Sequence, residues 1–189
     1  MAGSHPMKRF LLQLFLCFSI GLCYAQSPTD GYYRIIKEQA DRMQEYLLKA
    51  DFERYAGCMH PIFVKDMGGL QATAQYFEQV EKNLQKEGYL FKQHQVGELS
   101  PIIHHENQFQ GVLTIFLTYQ IMGQQMLTHT HWLVVSEDHG NQWQFLEVTG
   151  QKINNVREKL PNVSPDLFIP EPVDPIYLEE GQGIINPNL

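Results

Sequence analysis

Residues 111–136 read GVLTIFLTYQIMGQQMLTHTHWLVVS, and this stretch decides the fold class. Two long runs, Gly111 to Met122 and Met126 to Ser136, are rich in branched and aromatic side chains and free of acidic and basic residues other than histidine. Such side chains pack well on a pleated surface, so both runs are expected as strands. Gly123-Gln124 between them suits a two-residue hairpin turn, with glycine first as a type II′ turn prefers. This closure pairs Met122 with Gln125 and sets Thr118 opposite His129, Phe116 opposite His131 and Thr114 opposite Leu133. A further strand, Gln142 to Thr149, follows the polar stretch Glu137 to Asn141. Closing that hairpin symmetrically pairs Val135 with Trp143, Leu133 with Phe145 and His131 with Glu147.

Alternation along a strand then sorts the side chains into two faces. One face carries Leu113, Ile115, Leu117, Tyr119, Ile121, Met126, Thr128, Thr130, Trp132, Val134, Leu146 and Val148, and is nearly all apolar. The other carries Thr114, Phe116, Thr118, His129, His131, Trp143, Phe145 and Glu147, a mixture of aromatic and polar groups. Each must be covered, one by helices and the other by a second subunit, since large exposed apolar patches are rare on monomers. A single-residue slip would exchange the faces of a whole strand.

Upstream, Tyr89 to Val96 and Ile102 to Glu106 read as two shorter strands. Before them the period changes to that of helices. Pro28-Thr29-Asp30 opens the first, with Asp30 as N-cap and Ile36, Ala40, Met43 and Leu47 on one face. Asp51 caps a short second helix with Phe52, Tyr55, Ala56 and Met59 as its apolar side. His60-Pro61 breaks it, and Pro61 suits the first turn of a third, which carries Ile62, Phe63, Val64 and Met67 and ends at Gly68-Gly69. A fourth runs from Leu70 to Glu87, with Ala74, Phe77, Val80 and Leu84 in register and Gly88 as its stop. Downstream, Asn155 to Leu160 forms a last short helix, and Pro161 to Leu189 is extended, lying on the surface near Leu167-Phe168-Ile169 and frayed beyond Tyr177. Helices first and antiparallel strands after is an α+β pattern.

The N-terminus has the order of a secretory signal. Met7-Lys8-Arg9 is a short positive start, Phe10 to Leu22 is almost unbroken apolar chain, and Cys23-Tyr24-Ala25 presents a cleavable end before Gln26. The apolar run is shorter than the ~20 residues that span a bilayer. Leu22 stands where acylation of Cys23 would want a small residue. Met1 to Pro6 precede a natural-looking start at Met7. The expected location is therefore periplasmic or secreted, with cleavage near Ala25 and no membrane insertion afterwards. Of 189 residues, removing 25 leaves 164, which suits one domain spanning 26–170 with an extended tail at 171–189. Cys17 and Cys23 leave with the signal, so Cys58 alone remains and no internal disulfide can form. Lys8 and Arg9 leave too, and 12 basic residues then face 21 acidic ones, a net charge of −9. With no basic cluster, nucleic acid and anionic membrane are poor partners. Gly181-Gln182-Gly183 has no helix behind it and is no nucleotide loop.

Several motifs carry a family resemblance in their order. They are Phe52-Glu53-Arg54-Tyr55-Ala56, His60-Pro61-Ile62-Phe63-Val64, Met67-Gly68-Gly69, the run from Val135 to Glu147 with acidic-Gly then Trp143-Gln144-Phe145, Val156 to Pro161, and Ile169-Pro170. Over about residues 30–170 the chain resembles small secreted proteins of Bacteroidota-type bacteria in the nuclear-transport-factor-2-like group, also described as SnoaL-like or cystatin-like. The resemblance implies a strongly curved antiparallel sheet folded around a long helix, with a pocket in the cone. It implies no activity, since that group includes enzymes, toxin partners and binding modules, and no catalytic residue carries over.

The candidate ligand-binding residues are Phe116, Thr118, His129, His131, Trp143, Phe145 and Glu147, a mixture typical of small-molecule sites. His131 beside Glu147 is the candidate acid–base pair, because a carboxylate fixes an imidazole's tautomer and favours its charged form. The same pair could equally be a hydrogen bond that satisfies two half-buried groups. His129, His131 and Glu147 also have metal-ligand chemistry, but His104-His105 can offer only one inward ring and no fixed spacing supports a site. Cys58 near His60 lacks an orienting partner, and His60 reads better as a helix boundary. Tyr32, Tyr33 and Tyr55 could reach the cone mouth, although aromatic helix residues are core residues by default. Three functions stay open: an exported module binding a small apolar or amphipathic ligand, a cofactor-free isomerase, lyase or hydrolase using the His–Glu pair, and a homodimeric interaction protein. No cofactor is expected in any of them.

Overall fold

A computed structural model describes residues 28–178. The signal segment with its cleavage point at Ala25, the start at Met7, and the tail with Gly181-Gln182-Gly183 lie outside the described residues.

Helix α1 (Pro28–Leu48) buries Ile36, Ala40 and Met43 completely, with Leu47 at the margin of the same cluster. It already runs at Asp30, so it begins two residues before the expected cap. Helix α2 (Phe52–Gly57) starts where Asp51 accepts a hydrogen bond from the Arg54 N–H at 3.2 Å, and it buries Tyr55 and Ala56. The break at His60 is itself a cap. His60 Nδ1 accepts from the Ile62 N–H at 3.3 Å, and Pro61 opens α3 (Pro61–Asp66). Gly68 and Gly69, with φ of 92° and 106°, make the left-handed link to α4 (Leu70–Lys86), which stops before Gly88. Only Thr73 of α4 is fully buried, and Val80, Leu70 and Tyr76 are exposed. The expected stripe along α4 therefore borders the core and does not fill it.

The six strands form one antiparallel sheet: β1 (Tyr89–Leu99), β2 (Ile103–His105), β3 (Gln108–Ile121), β4 (Gln124–Ser136), β5 (Gln144–Glu147) and β6 (Ile176–Leu178). The order is β1-β3-β4-β5, with β2 also on β3 and β6 on β4. β1 runs past its expected end at Val96 because a register shift between Val96 and Leu99 absorbs Gly97 and Glu98. The described part of the tail is extended, and its end pairs with β4, setting Tyr177 opposite Met126.

The first hairpin turns at Met122-Gly123, not Gly123-Gln124. Both residues have positive φ, 49° and 87°, which is the type I′ form, and Ile121 pairs with Gln124. Thr114 accordingly faces His131, Phe116 faces His129 and Thr118 faces Leu127. This shift of two residues leaves every side chain on its expected face.

The second hairpin shifts by one residue, and one residue reverses the face. Val135 pairs with Gln144, Leu133 with Leu146 and Trp132 with Glu147. The loop is the cause. The Asp138 carboxylate accepts from Ser136 Oγ at 2.8 Å, the Gln142 N–H at 2.9 Å and the Asn141 N–H at 3.1 Å. His139 and Gly140 turn left-handed at φ 62° and 88°. Trp143 leaves the ladder: its backbone N–H donates to Gln39 Oε1 at 2.9 Å and its indole to the Gly140 carbonyl at 3.0 Å. Trp143, Phe145 and Glu147 thus lie on the helix side, while Leu146 and Val148 take the opposite one.

Two cores result. Between the helices and the sheet pack Ile36, Ala40, Met43, Tyr55, Met59, Leu113, Ile115, Trp132, Val134, Trp143 and Phe145. On the other face, Val112, Leu133, Val135 and Val148 meet Val156 of α5 (Ile153–Lys159), Val163 and Leu167. The chain itself therefore covers much of the face that the sequence assigned to a second subunit. Gln110, completely buried, pins this cover. Its amide donates to the Gln108 side chain at 2.8 Å and the Asn162 carbonyl at 2.7 Å, and its Oε1 accepts from the Ser164 N–H at 2.8 Å. Leu167 is buried and Phe168 points outward. Among the described residues, no helix is long and apolar enough to cross a membrane.

The second hairpin has a direct test. A Cβ at Gly140 would strike the Tyr32 ring, and its φ of 88° already disfavours any other residue. Gly140→Ala is expected to cost about 1–3 kcal/mol in urea unfolding, as strained and overpacked sites do. Wild-type stability in that variant would mean that the loop does not hold the register.

Candidate functional site

β5 ends on Glu147, and the period of two that buries Phe145 sends Glu147 to the same side, opposite Trp132. There the sheet and helices part. A groove of about 610 Å³ runs past the end of β5. Met59 and Phe63 with Tyr76 and Phe77 of α4 form one wall. Glu147 forms the floor, Trp132 reaches the groove only with its 5 % of exposed surface, and Leu146, Val148, Thr149, Gln151, Asn155, Val156, Glu158 and Lys159 complete the lining. The aromatic wall is internally braced. Tyr55 meets Phe77 edge-on with ring centroids 4.7 Å apart, and Tyr76 and Phe63 stand 5.4 Å and 6.0 Å from Phe77. The segment after α2 closes this end of the sheet: the His60 N–H donates to the Phe145 carbonyl at 2.8 Å, and the Phe145 N–H donates to Cys58 O at 3.1 Å.

Glu147 is open to solvent on one side, yet the walls crowd its carboxyl. This desolvation raises its pKa, while the hydroxyl of Thr149, donating to Oε1 at 3.2 Å, acts the other way. No lysine, arginine or histidine among the described residues forms an ion pair with it. Its charge reaches two phenols. Burial chiefly, then Glu147, holds the Tyr55 hydroxyl well above the usual range. Tyr119 is pushed up to about 12 by burial first, then by Glu81 and Glu147. Both phenols remain protonated near neutral pH. The groove itself gathers the Glu147 carboxylate with no cation paired to it, the neighbouring Glu158 and Lys159, and a wall of aromatic rings; Tyr55 and Tyr119 are not part of its lining.

His131 lies on the opposite side of the sheet. It is 3 % exposed, with Nδ1 3.2 Å from Thr114 Oγ1 and its ring 5.0 Å from that of His129. Burial first, and then His129, lowers its pKa, and the nearby Glu171 backbone opposes this. Nε2 nonetheless makes no hydrogen bond of proper geometry. Of the expected ligand-binding set, Phe116, Thr118, His129 and His131 share this face, with Thr118 buried. Trp143 and Phe145 are fully enclosed core residues of the other side, and Glu147 alone lines the groove. The His131–Glu147 acid–base pair therefore does not form, because the one-residue shift of β5 puts the sheet between its members.

The other candidates fall to local geometry. Glu147 cannot join His129 and His131 around a metal from across the sheet, and no group of three ligating side chains occurs among the described residues. Burial raises the Cys58 thiol against a smaller opposing effect of Arg42, and its S–H donates to the Arg54 carbonyl at 3.4 Å. His60 Nδ1 is occupied as a cap and burial lowers its pKa, so it is no base for that thiol. His104 stacks on Phe109 at 4.9 Å.

The sequence places Met59, Phe63, Phe77 and Trp132 in the core, and Met59 and Trp132 are buried there; the missed part is that all four also border the groove, Phe63 and Phe77 with the larger exposed surface. The readable signal was local: α4 carries adjacent Tyr76 and Phe77 on a helix too polar to be wholly buried.

The raised pKa has a consequence for stability. A carboxyl whose folded pKa exceeds its unfolded value contributes stability below the ordinary carboxyl range, and that contribution is lost as pH rises through the folded pKa. Ionised Glu147 therefore burdens the fold at neutral pH. Glu147→Gln is expected to match or exceed wild-type stability at pH 7–8, with the difference shifting toward wild type near pH 4. Urea midpoints across that range measure it, and a pH-independent difference would contradict it. Compared with known proteins, the chain matches no protein-family model, no curated protein and no solved structure.

Proposed function

We propose that the chain is an exported small-molecule-binding module of nuclear-transport-factor-2-like architecture, with its ligand in the groove at Glu147. One observation carries this reading. A groove of about 610 Å³ combines aromatic and aliphatic walls with a single carboxylate at its floor, the usual make-up of a small-molecule site. Helices on one face of an antiparallel sheet, with the groove where the two part, support the cone-shaped version of the fold. Export rests on Lys8-Arg9, the apolar run from Phe10 to Leu22 and the small residue at Ala25. An enzyme built on His131 and Glu147 together is not compatible with their placement on opposite faces. Self-association through the sheet would have to use the half-buried patch around Phe116 and His129.

A neutral apolar fluorophore, N-phenyl-1-naphthylamine, tests the location. Phe63→Ala removes one ring from the wall and is expected to weaken binding by about tenfold, the lower end of what burying a phenyl side chain supplies. Phe116→Ala, on the far face, is expected to leave it unchanged. The reverse pattern would move the site to the histidine face and overturn the assignment.

A further inference from the structure

Resting on the groove assignment, a narrower statement concerns the ligand's charge. We propose that the groove takes a monovalent organic cation with an apolar body, an alkyl- or arylammonium, its charge at Glu147 and its body against Phe63, Tyr76 and Phe77. Three observations converge. First, Glu147 sits on the floor of the groove with one hydrogen bond, from Thr149, and no positive partner among the described residues. A neutral ligand lying over this carboxylate would strip water from it and return nothing, and an anion would be repelled by it. An ammonium group restores what desolvation removes, as a charge-assisted hydrogen bond or a close ion pair.

Second, the adjacent wall is aromatic. Phe63, Tyr76, Phe77 and Trp132 all line the groove, and ring faces attract cations through their quadrupoles. Trp132 is buried and its indole N–H is committed to Thr130 Oγ1 at 2.8 Å, so Phe63, Tyr76 and Phe77 supply most of the exposed aromatic surface. Third, the charges on the rim do not favour an anion. Glu158 and Lys159 are neighbours there and offset one another, which leaves Glu147 as the net charge of the groove. The volume of about 610 Å³ lies within the range of small-molecule pockets.

The experiment uses the full chain and a matched series: octyltrimethylammonium, octylammonium, octanol and octanoate, each displacing N-phenyl-1-naphthylamine. Both cations are expected to bind about tenfold or more tightly than octanol, with octanoate weakest, as a charged contact to a carboxylate provides. Glu147→Gln should bring the cation-to-alcohol ratio to about one, whereas Glu137→Gln, remote from the groove, should keep the wild-type ratio. Equal binding of cation and octanol, tighter binding of octanoate, or an unchanged ratio in Glu147→Gln would overturn the proposal while leaving the groove as a binding site. Failure of the fluorophore and of every member of the series to bind would remove the groove assignment itself.

Discussion

Trp143 is held by two hydrogen bonds outside the ladder, one to Gln39 on α1 and one to the Gly140 carbonyl, and β5 takes its register from that anchor. A free hairpin would settle its own pairing through turn geometry. Here the loop is tied first, by Asp138 and Ser136 within and by the Tyr32 ring above, and the strand begins wherever the loop lets it go. Because side chains alternate with a period of two, this one decision places Phe145 in the helix-side core, Leu146 in the opposite core and Glu147 at the groove. The site owes its composition to a loop that lies at the other end of β5.

Both faces of the sheet carry a buried core, covered by different means. The helices cover one with large apolar residues. The other is covered by α5 and a strap of extended chain that has few regular hydrogen bonds of its own, so its attachment depends on particular contacts. Gln110 supplies two of them from a fully buried position, to Asn162 and Ser164, and Arg157 Nε adds another by donating to the Val163 carbonyl at 2.9 Å. A buried polar side chain with all its partners fixes geometry as well as adding stability. Cys58, the single cysteine in the described region, is a free thiol, so no cross-link assists this packing.

Local rules were legible in the sequence wherever the controlling residues were neighbours. Asp51, His60-Pro61 and Gly68-Gly69 mark helix ends through contacts within four residues, and each acts as its chemistry suggests. The β3–β4 hairpin was recoverable in its faces though not in its turn, because Met122 adopts a left-handed φ of 49° that its side chain does not advertise. The β4–β5 register was not legible. It depends on Gln39 accepting from Trp143 across 104 positions of sequence, and on an aspartate whose bonds make the loop asymmetric. The groove was hidden for the same reason: its walls come from α3, α4, β4, β5 and α5, and an aromatic residue lining a groove has the same sequence signature as one filling a core.

The polar groups elsewhere in this molecule show how Glu147 differs from them. Thr73, Gln110, Ser136 and Ser164 are buried, and each finds a hydrogen-bond partner inside the protein. Glu147 has a hydroxyl for its charge and no cation, although Lys159 lies on the same rim. The walls raise the pKa of Glu147 and so disfavour its ionised form, while the exposed side of the residue lets water screen part of that effect. Gln44 Oε1 and His131 Nε2 also lack partners, but they are sealed inside the protein, whereas Glu147 is exposed at a groove where an incoming group can reach it. An exposed carboxylate without a cation adds little to packing, so under the proposed binding role charge is the property that would sort ligands at this groove.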